Sequence, residues 1–101
     1  MNDNYDKTGY VYLLASKTVG TTYVGVTSDL IARIAQHKAG TYRGFTFQYG
    51  VHRLVYYEDC GSIEAAIERE KKLKKWKRLW KIQLIEKMNP KWDDLYPRLA
   101  R

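Results

Sequence analysis

Along this 101-residue chain the apolar positions change period several times, and each change marks an element. Gly9 to Ala15 is an unbroken aromatic and aliphatic run, which predicts a strand buried on both faces. Thr21 to Val26 is β-branched and aromatic, a second strand. Ser16 to Gly20 between them predicts an antiparallel hairpin. Leu30, Ile31, Ile34 and Ala35 then fall at helical spacing, with Thr27 or Ser28 as N-cap, Asp29 favourable in the first turn and Gly40 as the stop. Leu30 and Ile34 define the buried stripe of this helix, and Arg33 and His37 share the face beside it.

Thr41 to Gly50 reads as a Gly and aromatic loop with a helical turn around Phe45 to Tyr49, and Arg53 to Glu58 as a third strand. Ser62 caps a long helical region in which Ile63, Ala66, Ile67, Leu73, Trp76 and Trp80 recur at helical spacing, followed by Leu84, Ile85 and Met88. One straight helix from 62 to 88 would outrun so small a domain, which predicts a bend near Trp76 to Leu79. Asn89-Pro90 ends the helical region. The order ββαβαα is α+β: a small three-stranded antiparallel sheet flanked by helices.

The length suits one domain, read as residues 9–95 between a flexible N-terminus (1–8) and a C-terminal tail (96–101). No stretch approaches the roughly 18 apolar residues of a membrane span, and the polar, acidic start is no signal peptide. Cys60 is the single cysteine and His37 and His52 the only histidines, which excludes an internal disulfide and leaves a zinc site poorly supplied. A soluble protein of a reducing compartment, the cytoplasm, is the reading that follows. Charge changes the picture once it is located. Residues 69–81 hold eight Lys or Arg against one Glu, which is the whole net charge of +7, while ten basic and ten acidic residues elsewhere cancel. Such a localised field points to a polyanion, nucleic acid before an anionic membrane surface.

The candidate chemistry lies in two tyrosine triplets, Tyr10-Val11-Tyr12 and Tyr23-Val24-Gly25, with Arg33, His37 and the later Glu70. Two phenols, a guanidinium, an imidazole and a lone carboxylate are the parts needed to cut a phosphodiester with one divalent metal. In these residues the chain resembles the GIY-YIG nuclease superfamily, in particular its short stand-alone bacterial members. Tyr10-Val11-Tyr12 stands where the family has Gly-Ile-Tyr, and Tyr23-Val24-Gly25 where it has Tyr-Ile-Gly. Arg33 and His37 match a pair four residues apart, Ile67-Glu68-Arg69-Glu70 matches the helix of the metal-binding Glu, and Asn89 sits near a late Asn. The likeness spans about residues 9 to 95 and departs at Tyr10, which replaces the first glycine.

The resemblance implies a metal-dependent DNA endonuclease. Tyr12 would be the general base, directly or by way of the metal's water, and Tyr23 would contact the phosphate or that water. Gly25 would let chain or substrate approach closely. Arg33 would clamp a phosphate with its planar fork, and His37 would take a proton from Tyr12 or orient it. Glu70 would hold one Mg²⁺ or Mn²⁺ ion, with no small-molecule cofactor. Asn89 would either steady the leaving phosphate or the Glu70 region, or cap the chain before Pro90. Lys71, Lys72, Lys74, Lys75, Lys77, Arg78 and Lys81 would contact DNA phosphates without reading sequence, joined by Tyr42, Arg43 or Phe45 where exposed. The alternative is a non-catalytic nucleic-acid-binding module using the basic helix 69–81. A third reading, a peripheral-membrane or protein-partner role for the amphipathic basic helix, gains nothing from the neutral remainder of the chain.

Overall fold

The computed structural model describes residues 8–41 and 44–100. Strands Tyr10–Ala15 (β1) and Thr22–Thr27 (β2) form the hairpin, and Arg53–Asp59 (β3) pairs with the other side of β1, all antiparallel. The sheet order is therefore β2-β1-β3. Among the described residues five helices accompany it: Leu30–Lys38 (α1), Phe45–Gln48 (α2), Ile63–Lys75 (α3), Arg78–Met88 (α4) and Tyr96–Leu99 (α5). The three-stranded α+β architecture is the expected one.

Successive side chains of a strand point to opposite faces, and β1 fills both. Val11, Leu13 and Ala15 join Val24, Val55, Leu73, Ile85 and Trp92 in one core. Tyr12 and Leu14 join Leu30, Ile34, Val51, Leu54 and Leu95 in the other. Helix α3 packs on β2 and β1. A bulge in β3 adjusts the second face: Leu13 pairs with Tyr56 and Leu14 with Leu54, leaving Val55 as the extra residue. A bulge reverses the alternation beyond it. Val55 and Tyr56 thus both join the first core, and Tyr57 comes opposite Tyr12 on the second.

Two local expectations are corrected. Asp29, not Thr27 or Ser28, caps α1, its carboxylate accepting from the Ala32 N–H at 3.2 Å. Thr27 Oγ1 instead accepts from the Asp29 N–H at 3.0 Å and fixes the turn one step earlier. The second correction concerns the apolar stripe. The helical region breaks at Trp76 and Lys77, both extended with ψ of 146° and 149°. Arg78, opening α4, donates to the carbonyls of Val19 (2.8 Å) and Gly20 (3.0 Å) and ties α4 to the β1–β2 turn. The break resets the helical phase. Leu73 before the break and Ile85 after it are buried, but Trp80 is 49 % exposed and Met88 is exposed. Ile67, ahead of the break, is exposed within α3 itself.

The chain beyond α4 closes the free edge of β3. Leu95 N–H donates to the Leu54 carbonyl at 2.8 Å, and Asp94 accepts from the Leu54 N–H at 3.2 Å. Asp94 also pairs with Lys38 at the end of α1. Trp92 is the largest fully buried side chain. Tyr96 and Leu99, in the stretch read as a tail, pack from α5 against the second core. Asn89 is the joint of this segment. Its buried amide donates to the carbonyls of Val55 (3.1 Å) and Asp93 (2.8 Å), and its oxygen accepts from the Asp93 N–H at 3.1 Å. Asn89→Ala orphans the buried Val55 carbonyl at a cost of about 1–3 kcal/mol and removes two part-buried bonds to Asp93, an expected loss that urea denaturation of the two proteins measures.

Candidate active site

Tyr12 lies mid-strand in β1, and its partner across the hairpin is Gly25. A Cβ on Gly25 would stand 2.4 Å from Cζ and Oη of Tyr12. The close approach that this glycine permits is therefore that of the Tyr12 phenol. The phenol is fully buried, and its hydroxyl meets His37 Nε2 at 3.0 Å. His37 projects from α1 three residues after Ile34, on nearly the same face, so the helix that fills the second core also sets the imidazole. Its other nitrogen, Nδ1, lies 3.1 Å from Thr46 Oγ1 on α2. Strand, helix and short helix thus supply one buried chain of hydrogen bonds, Tyr12–His37–Thr46, with His37 and Thr46 each 4 % exposed.

Burial lowers the His37 pKa from 6.5 to about 4, with the charge of Arg33 and then of His52 adding to it. The ring is neutral at pH 7 and carries one N–H. With that hydrogen on Nδ1, it donates to Thr46 and Nε2 accepts from Tyr12. With it on Nε2, the ring donates to Tyr12 and Thr46 donates to Nδ1. Only the first form can receive the Tyr12 proton.

Tyr23, Arg33, His37 and Thr46, with Gly44 and Phe45, line a pocket of about 230 Å³. That is below the roughly 300 Å³ at which pockets for drug-sized ligands begin. The Tyr23 ring stands 6.4 Å from Tyr12 and 5.8 Å from His37, and Phe45 stacks on its outer side at 6.4 Å. Of the residues singled out from sequence, the fold brings together Tyr12, Tyr23, Arg33, His37 and Phe45. Tyr42 and Arg43 lie outside the described residues. Thr46 was missed. It belongs to no motif and to no apolar stripe, and only its buried contact with His37 gives it meaning.

Glu70 and Asn89 do not line this pocket. Asn89 spends its side chain on the joint described above. Glu70 sits on α3, the helix packed on β2 and β1, and its carboxylate pairs with Lys74 at 3.1 Å with 18 % of the side chain exposed. Among the described residues no three His, Cys, Asp or Glu gather into a metal site. A single carboxylate suits a hard ion that keeps several waters and borrows phosphate oxygens, as Mg²⁺ does, and does not suit Zn²⁺. The basic segment is partly committed: Arg69 pairs with Glu58 (2.8 Å), Lys74 with Glu70, and Arg78 with the Val19 and Gly20 carbonyls. Lys71, Lys72, Lys75 and Lys77 are exposed, and Lys81 is half-buried.

Comparison with known proteins bears on this geometry. Residues 8–83 match the family model of the GIY-YIG catalytic domain. The chain belongs to the GIY-YIG family. That domain is the catalytic domain of nucleases, so the family indicates a hydrolase acting on nucleic acid. Among curated relatives, a UPF0213 protein of Staphylococcus haemolyticus is 36 % identical over 77 residues, 76 % of this chain and 93 % of the relative. One of Syntrophus aciditrophicus is 35 % identical over 82 residues, covering 80 % and 92 %. One of Clostridium perfringens is 37 % identical over 85 residues, covering 84 % and 90 %. No solved structure gives a significant match. Among the described residues no helix is long and apolar enough to cross a membrane.

Two outcomes follow for this GIY-YIG site. Gly25→Ala drives a methyl into the Tyr12 phenol. The expected overpacking cost is about 1–3 kcal/mol, with loss of the Tyr12–His37 bond visible as a shifted imidazole resonance. His37 is less basic folded than unfolded, so its contribution to stability is complete above about 6.5 and disappears as pH falls toward about 4. Urea titrations across that window should show the decline in the wild type and a flatter curve in His37→Gln.

Proposed function

We propose that the protein is a cytoplasmic, divalent-metal-dependent DNA endonuclease that hydrolyses phosphodiesters at the Tyr12–His37–Arg33 pocket. The observation that carries this reading is the 3.0 Å contact of the buried Tyr12 hydroxyl with a neutral His37, which lines one small pocket together with Arg33 and Tyr23. A phenol and a depressed imidazole buried together are costly to arrange for stability alone.

The scissile phosphate sits against the Arg33 guanidinium, whose planar fork matches two phosphate oxygens. Tyr23 donates its hydroxyl to a third oxygen or to the attacking water. Water attacks phosphorus as the bond to the leaving oxygen breaks, and that leaving oxygen takes a proton from solvent. Substrate binding has to open a path from the pocket to the buried Tyr12 Oη. Tyr12 Oη then receives the attacking water's proton while its own passes to His37 Nε2. A phenol normally titrates near 10 and His37 near 4, so this transfer is uphill in the empty site. The bound phosphate offsets the Arg33 charge that depresses His37, which raises its basicity when substrate is present. Thr46 acts through His37: accepting from Nδ1–H, it leaves Nε2 open toward Tyr12. Glu70 would hold the Mg²⁺ or Mn²⁺ ion in exchange for Lys74, and the ion would supply positive charge to the phosphate. Lys71, Lys72, Lys75, Lys77 and Lys81 hold the flanking backbone, so binding falls steeply with salt.

Incubation with plasmid and branched DNA tests this reading. Wild type should nick with Mg²⁺ or Mn²⁺ and stop with EDTA, while Tyr12→Phe and Glu70→Ala should lose at least about 100-fold, the scale of a general base. Undiminished nicking by both variants, or none by wild type, sinks the proposal. Salt-sensitive binding without cleavage would leave the binding-module reading. Thr46→Val keeps the shape and removes the hydroxyl. It should lower the rate of the chemical step about tenfold or more, and leave DNA affinity near wild type.

A further inference from the structure

A hollow more capacious than the catalytic pocket lies away from it, along α4 and the break before it. It is a shallow groove of about 710 Å³ lined by Trp76, Trp80, Gln83, Leu84, Glu86 and Lys87. Trp80 is 49 % exposed and meets Trp76 edge-on at 6.0 Å. Lys77 Nζ lies 5.7 Å from the centre of the Trp80 ring, and the Arg69 guanidinium 5.2 Å from that of Trp76. Glu86 is the single carboxylate of the lining, and it is engaged by the Trp92 indole N–H at 2.8 Å. The neighbouring Leu79 is 60 % exposed.

Phosphate contacts account for the lysines of this region but not for an open indole among them. The occupant must offer negative charge and flat apolar faces together. A second copy of the chain fits poorly, because docking groove to groove would bring two segments of charge +7 together. A nucleic acid strand offers both features, with phosphates for Lys77 and Lys87 and base faces for Trp80. A duplex hides those faces in its own stack, so the match is to unpaired nucleotides.

We propose that the Trp76–Trp80 groove is a stacking site for an unpaired stretch of the nucleic acid substrate, such as a flap, loop or single-stranded arm. This rests on the reading of the protein as one that acts on nucleic acid, and it adds a substrate class. The site recognises a strand departing from a duplex by its bases and backbone, without reading sequence.

Binding measured by fluorescence anisotropy in EDTA, with no cleavage, tests the groove separately from the chemistry. The probes are a labelled oligothymidylate and a labelled duplex of equal length. Base–aromatic stacking implies that Trp80→Ala weakens oligothymidylate binding about tenfold. Trp80→Phe should keep most of that affinity, and the duplex should be affected far less. Oligothymidylate should also quench indole emission in the wild type. Unchanged oligothymidylate affinity in Trp80→Ala, or an equal loss on both probes, overturns the proposal. So does a wild-type dimer in sedimentation that Trp80→Ala dissolves, which would assign the groove to a second copy. If wild type binds as expected yet cuts no DNA under any metal, the nuclease reading fails and the groove stands. If wild type cuts and Trp80→Ala binds oligothymidylate normally, the groove fails alone.

Discussion

Tyr12 can lie buried in the central strand because the residue across from it has no side chain. That constraint orders much of the molecule. With Gly25 opposite, the phenol lies over β2 and its hydroxyl reaches α1 instead of solvent. A buried hydroxyl needs a partner, and the partner is His37, which the Leu30 and Ile34 contacts hold in place. The bulge in β3 then brings Tyr57, rather than Tyr56, to the strand position beside Tyr12. Folding and the candidate chemistry use the same contacts here: the core that stabilises the sheet also aims the phenol.

That economy explains what the sequence made legible. Local rules sufficed for the three strands, the Ser62 cap and the break of the long helical region, because each leaves a short-range mark: an unbroken apolar run, a serine before a helical stripe, an implausible length. The tyrosine triplets with Arg33 and His37 were legible as an ordered set. The hydrogen bond between Tyr12 and His37, 25 residues apart, is a tertiary fact that a spacing of four within one helix only hints at.

What stayed hidden shares one cause. Thr46 and Trp92 belong to no periodic element, so neither carries a pattern, and each acquires its role only when distant chain arrives: His37 over Thr46, the first core around Trp92. The Trp80 stripe failed differently. Its spacing was helical, but two extended residues at the break reset the phase, so that Ile85 reaches the first core and Trp80 does not. Asp29 replaced Thr27 and Ser28 as the cap because three neighbouring oxygens competed, and only the carboxylate reached the Ala32 N–H.

The closing segment after α4 ties the sheet to α1. The family-model match ends at residue 83, although the Clostridium perfringens relative aligns over 85 residues. Yet Ile85 and Trp92 fill one core, Leu95 fills the other, and Asp94 links the edge of β3 to the end of α1. The segment beyond the family-model match therefore belongs to the same cooperative unit as the sheet. Insertions or fusions near Asn89 would loosen the helix that carries Arg33 and His37 without touching a single residue of the shared motif, so the chain's tolerance to rearrangement is set by its last dozen residues.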